Sequence, residues 1–99
     1  MRILGNDKFN EALLRFTNDQ GAFKSWYCEV ENAVWKTPHE VKERYPRLSP
    51  LGSNQYYFDI KGNTYRTEVL MHFESQLVII KWIGTHAEYD KRNKKMRGR

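Results

Sequence analysis

The stretch Gln55-Tyr56-Tyr57-Phe58-Asp59-Ile60-Lys61-Gly62-Asn63-Thr64-Tyr65-Arg66 is where the chain changes its period. Upstream of it, apolar residues recur every three or four positions. From Gln55 onward that recurrence is gone, and residues 56–60, 65–73 and 77–83 are rich in aromatic and β-branched side chains, as strands are. Gly62-Asn63 is a tight hairpin signal between the first two strands, and Glu74-Ser75-Gln76 marks a second turn. The expectation is a three-stranded antiparallel meander. Alternation along residues 65–73 places Tyr65, Thr67, Val69, Met71 and Phe73 on one face, and Arg66, Glu68, Leu70 and His72 on the other.

Working outward, residues 1–4 are short and apolar with Arg2 interleaved, which suits an initial or edge strand. Asn6 or Asp7 offers an N-cap for a helix carrying Phe9, Ala12, Leu13 and Phe16 on one face, ended by Asn18-Asp19-Gln20-Gly21. A second helix is predicted over residues 22–35, with Phe23, Trp26, Val30 and Val34 on its apolar stripe. Thr37-Pro38-His39-Glu40 is a capping box for a short third helix, with Val41 and Tyr45 on its buried side and Pro46 stopping it. Residues 47–54 read as a loop. Helices followed by strands give an α+β domain, its N-terminal helices packed on one face of a small antiparallel β-sheet. The other face is left partly open, where a ligand can sit. Trp26, Trp35 and Trp82 belong to the core or its edge, Cys28 to a half-buried helix position, His72 to the sheet surface and His39 to solvent.

Ninety-nine residues make one ordinary domain, and 39% hydrophobic and 14% aromatic residues supply a core. No apolar run at the N-terminus has the length of a signal peptide, and the longest elsewhere, Leu77-Val78-Ile79-Ile80, is broken by Lys81. Cys28 is the only cysteine, which excludes an intramolecular disulfide and a cysteine-rich zinc site. A cytoplasmic protein with no membrane contact is expected. The net charge of +5 points to an anionic partner. Lys91, Arg92, Lys94, Lys95, Arg97 and Arg99 put six of the seventeen basic residues in the last nine positions, with no acid among them. Residues 92–99 are therefore expected to form a basic tail behind a domain of residues 1–91. Lys91, Arg92, Lys94 and Lys95 are its RNA-binding candidates.

Gly84-Thr85-His86-Ala87-Glu88-Tyr89-Asp90 gathers five polar or titratable side chains in seven positions. Cutting RNA without a metal needs a base for the 2′-hydroxyl proton, cations or donors for the charge on phosphorus, and an acid for the departing 5′ oxygen. His86 carries the side chain that exchanges protons nearest neutral pH, and Tyr89 can stack on a base or move a proton. The same spacing also suits a glycine turn and a helix start, capped by Thr85 or Asp90, with His86 idle. Lys61 and Arg66 flank the hairpin turn, so their charges either converge on a phosphate or serve an ordinary solvated hairpin. His39, His72 and His86 lie in different elements without a second ligand at close repeat, so no metal site is expected. No serine has the context of a nucleophile elbow.

Across the chain, Trp26-Tyr27 with Glu29-Val30, Ala33, Trp35-Lys36, Pro38, Val41-Lys42, Tyr45, Gly52 and Asn54 form a pattern. It continues with Phe58-Asp59-Ile60-Lys61-Gly62-Asn63, Tyr65-Arg66 and the run from Gly84 to Lys91. This pattern resembles the HigB family of type II toxins. The resemblance implies a RelE-like fold, a toxin paired with a helix-turn-helix antitoxin of the HigA type, and no cofactor. It also implies metal-independent cleavage of mRNA on the translating ribosome, with DNA contacted only through the antitoxin. Residue by residue, Lys61 and Arg66 match the basic positions that hold and polarise the scissile phosphate, and His86, Glu88, Tyr89 and Asp90 match the C-terminal block. The wider RelE-like group often carries Lys or Arg just after the last strand's glycine. Here Thr85-His86 stands there, which leaves the assignment of acid and base open. The basic tail lies outside the shared pattern. A non-catalytic RNA- or ribosome-binding domain would use the same basic face.

Overall fold

A computed structural model describes the backbone over residues 1–97 and the side chains over residues 1–92. The chain runs β1 (Arg2–Leu4), α1 (Asn6–Arg15), a 3-10 turn (Thr17–Asp19), α2 (Gln20–Asn32), α3 (Pro38–Arg44), β2 (Ser49–Gly52), β3 (Gln55–Ile60), β4 (Tyr65–His72), β5 (Leu77–Thr85) and α4 (His86–Arg97). The expected meander is the centre of the sheet, as β3, β4 and β5. The whole sheet has five strands in the order β1-β5-β4-β3-β2. It is mixed rather than antiparallel throughout, because β1 pairs with β5 in parallel, Ile3 opposite Val78.

Several local expectations change. Ser49–Gly52, expected as loop, is an edge strand opposite β3, a position that tolerates Pro50 because one side of the strand needs no ladder donor. The β3–β4 turn spans four residues, since Ile60 pairs with Tyr65. Lys61 itself turns left-handed (φ 55°), and Thr64 N–H donates to its carbonyl at 3.1 Å.

Tyr56, Phe58 and Ile60 of β3 point toward the helices. Phe58, fully buried, meets Trp26, Trp35 and Tyr45 at ring distances of 5.5, 6.4 and 5.1 Å. Phe16, Phe23 and Tyr65 form a second aromatic cluster beside it. Truncating a ring such as Phe58 to alanine costs about 3–5 kcal/mol. α2 ends at Asn32, so Val34 leaves the apolar stripe and is 68% exposed. Cys28 is likewise exposed rather than half-buried. The capping box of α3 forms, with Glu40 N–H donating to Thr37 Oγ1 at 3.3 Å. The Glu40 carboxylate accepts from Lys36 N–H.

The opposite sheet face carries Tyr57, Asp59, Arg66, Glu68 and Trp82. It is covered in part by α4, which starts where β5 ends and passes through the boundary expected at residues 91 and 92. A second capping box opens α4: Glu88 N–H donates to Thr85 Oγ1 at 3.1 Å, and Thr85 N–H to Glu88 Oε1 at 2.9 Å. Gly84 lies inside β5 and is needed for space rather than for a turn. A Cβ there would sit 2.6 Å from Trp82 Cζ2 and 2.7 Å from Glu88 Oε1. No helix among the described residues is long and apolar enough to cross a membrane.

Candidate active site

The register of the hairpin sets Asp59 of β3 directly opposite Arg66 of β4, on the face away from the core helices. Both side chains are 8% exposed, and Arg66 Nε donates to Asp59 Oδ1 at 2.7 Å. Arg66 Nη2 donates to Ser49 Oγ at 3.2 Å, so edge strand β2 contributes to holding it. The second oxygen of Asp59 faces Arg47 Nε at 3.1 Å. The guanidinium lies 4.6 Å from the Tyr89 ring centre and 5.5 Å from that of Tyr57. Its buried Nη1 has no hydrogen-bond partner. An arginine fixed on three sides with both Nη1 donors unspent is a preorganised anion ligand.

Tyr57 meets Tyr89 edge-on at 4.8 Å. The Tyr57 hydroxyl donates to Glu68 Oε1 at 3.2 Å and accepts from Arg92 Nη1 at 2.8 Å. Burial first, and the Glu68 carboxylate second, push its pKa up, so at neutral pH it stays a donor. Arg92 pairs with Glu68 and lies 4.8 Å over the Trp82 ring. Burial opposes its charge, but the Glu68 pair outweighs that and raises its pKa.

His86 is the first residue of α4, and its backbone N–H donates to Thr64 O at 3.0 Å, tying it to the hairpin. Its ring is 5.3 Å from that of Tyr89, and its Nδ1 is 3.7 Å from Asp90 Oδ2, one helical turn on. Arg66, Tyr89, His86 and Asp90 thus form one connected group at the hairpin end of the sheet.

The remaining expected residues go elsewhere. Glu88 turns to the other side of α4, where it pairs with Arg15 of α1 as well as with Thr85. The Arg15 hydrogen bond holds its carboxyl below the usual range, against the effect of burial. Lys61 does not converge with Arg66. Its Nζ lies 2.5 Å from Asp19 Oδ1 on the helix side of the hairpin, and the same carboxylate accepts from the Tyr65 hydroxyl. Lys61 first, then Tyr65, lower the Asp19 pKa, and Asp19 in turn raises that of Tyr65. Lys91 is exposed on α4, while Arg92 is committed to Glu68 and Tyr57. The side chains of Lys94 and Lys95 lie outside the described residues. Sequence reasoning missed Asp59, Tyr57 and Glu68. The expected Gly62-Asn63 turn has this same register and already sets Asp59 opposite Arg66, so the pairing was available from the sequence, and alternation then places Tyr57 on the same face.

Residues 19–92 match the HigB toxin family, the RelE-like toxic component of a toxin-antitoxin system. An mRNA interferase HigB of Escherichia coli O6:H1 strain CFT073 is 30% identical over 92% of this chain and 90% of its own length. The mRNA interferase toxin HigB of Escherichia coli K12 is 32% identical over 62% of this chain and 61% of its own. With most of the chain aligned, and with the hairpin and C-terminal blocks meeting on one sheet face, the chain belongs to the HigB family of toxins.

Proposed function

We propose that this HigB-family toxin is an endoribonuclease that cuts mRNA at the group formed by Arg66, His86, Tyr89 and Asp90. The observation that carries this is the unpartnered Nη1 of buried Arg66, within one ring of a histidine and a tyrosine. A phosphate oxygen takes up that donor as the Tyr89 ring shifts aside. The substrate's own 2′-hydroxyl oxygen bonds to phosphorus while the bond from phosphorus to the 5′ oxygen breaks. One of His86 and Tyr89 accepts the 2′ proton, and the other gives a proton to the departing oxygen. Arg66 neutralises the charge that builds on the phosphoryl oxygens, Asp90 orients His86, and Glu88 acts by fixing the start of α4. The products carry a 2′,3′-cyclic phosphate, which water opens to a 3′ phosphate, and a 5′-hydroxyl.

The translating ribosome presents the message in the cytoplasm, and a helix-turn-helix antitoxin of the HigA type restrains the toxin and provides the only link to DNA. Lys91, Lys94 and Lys95 add attraction for RNA that is independent of sequence and weakens with salt, while Arg92 is held by Glu68. The test is to incubate the protein with translating ribosomes and a chelator and to map the cut ends. Cleavage that persists and leaves 5′-hydroxyl ends supports the mechanism. Loss of cleavage with the chelator, or 5′-phosphate ends, overturns it.

A further inference from the structure

Lys61, displaced from Arg66, does not stand alone. It lines a cleft of about 270 Å³ with Arg44, Arg47, Pro46, Leu48 and Asp59, and an adjoining one of about 240 Å³ that shares Arg44, Tyr45, Asp59 and Lys61. Each cation is anchored by a carboxylate: Arg44 by Glu29 at 2.6 Å, Arg47 by Asp59 at 3.1 Å and Lys61 by Asp19 at 2.5 Å. Their side chains are nevertheless 58%, 62% and 52% exposed. An ammonium has three donors and a guanidinium five, so the anchors fix the cations and leave donors facing solvent. Asp59 also holds Arg66, so this end of the sheet sets four cations against three carboxylates. Asp59 links the cleft to the site through one carboxylate, with Oδ1 on Arg66 and Oδ2 3.1 Å from Arg47 Nε.

We infer that this cleft is a subsite for the part of the RNA strand flanking the cut. Arg44, Arg47 and Lys61 take its phosphodiester, and Tyr45, Pro46 and Leu48 form the apolar wall for its sugar or base. Lys61 therefore binds a neighbouring phosphate rather than the scissile one. This rests on the endoribonuclease reading, and its test is built to fail separately from it.

The probe is a fluorescent single-stranded 2′-O-methyl RNA hexanucleotide, which has no 2′-hydroxyl to attack and so reports binding alone. Arg44→Gln, Arg47→Gln and Lys61→Gln should each weaken binding about three- to tenfold and reduce the slope of log affinity against log salt by about 0.7. Lys61→Arg should restore both, and circular dichroism melting verifies that each variant folds. Lys36→Gln is the control, in a separate hollow beside Val34 and Phe73, and should change neither. Unaltered affinity and slope in the three variants, or an equal loss in the control, overturns the subsite even where the wild type cuts ordinary RNA. Loss confined to the three variants supports the subsite even where the wild type cuts nothing, an outcome that would remove only the nuclease reading.

Discussion

The Arg66 guanidinium lies 4.6 Å from the centre of the Tyr89 ring, and this contact joins the middle of the sheet to the helix that follows it. In the proposed mechanism Tyr89 has two separable duties, packing through its ring and proton transfer through its hydroxyl. Tyr89→Phe keeps the ring and should alter unfolding free energy by less than about 0.5 kcal/mol while lowering the single-turnover rate. Tyr89→Ala should lose about 2 kcal/mol, as the cation–π contact and the edge-on packing on Tyr57 both go. Urea unfolding and single-turnover cleavage of the two variants separate the duties. Equal effects on both quantities would show that they are one.

Arg15 and Glu88 predict a pH dependence. The Arg15 hydrogen bond lowers the Glu88 pKa in the folded protein, so the pair's stabilisation is complete at neutral pH and is lost as pH falls through that lowered value. Glu88→Gln preserves the cap on Thr85 but removes the charge. Because the pair is partly exposed, the variant should be less stable by only about 0.5 kcal/mol near pH 7. The gap from wild type should narrow progressively as the pH falls below the ordinary carboxylate range, followed by urea unfolding at each pH. A gap that widens in acid would reverse the sign of the coupling.

Gly84→Ala tests the close approach at the start of α4. The added methyl must displace both the Trp82 ring and the Glu88 carboxylate, so a stability loss of about 1–3 kcal/mol is expected. Cleavage should fall with it, since Thr85 and His86 follow directly. Thermal melting and single-turnover rates measure both, and a variant as stable and as fast as wild type would show that the approach is not needed.

Asp59→Ala leaves Arg66 buried without its carboxylate and frees Arg47. The expected cost is about 3 kcal/mol, with a fall in cleavage as Arg66 loses its orientation. Asp59→Asn retains an acceptor and should lie between the two in chemical denaturation and rate. Cleavage at the wild-type rate in both variants would remove Asp59 from the site.

The fold was legible where periodicity was strong: Phe9 and Ala12, Phe23, Trp26 and Val30 are buried as their spacing indicates, and in β4 Tyr65, Thr67, Val69 and Met71 are buried as the alternation indicates. Ser49–Gly52 was not, because a four-residue edge strand containing Pro50 and Gly52 carries the composition of a loop, and only pairing with β3 makes it a strand. The parallel pairing of β1 was hidden for a similar reason, since three residues carry no direction. At the candidate site, His86, Tyr89 and Asp90 stood out by their density, and Thr85 does cap the helix, so the capped turn and the proposed site fall in one segment. Lys61 misled because closeness across a turn does not fix the face. Its left-handed backbone and the Asp19 carboxylate direct it to the helix side, while Arg66, five residues on, faces the other way.

In the proposed mechanism Arg66 and His86 serve the cutting step and not merely RNA retention. The most direct measurement compares His86→Ala and Arg66→Lys with wild type in single-turnover cleavage of an mRNA and in equilibrium binding of a 2′-O-methyl RNA. Cleavage reduced by about 100-fold or more, with affinity kept within about threefold, is the expected result. Cleavage and affinity falling in parallel, or cleavage unchanged in both variants, would contradict it.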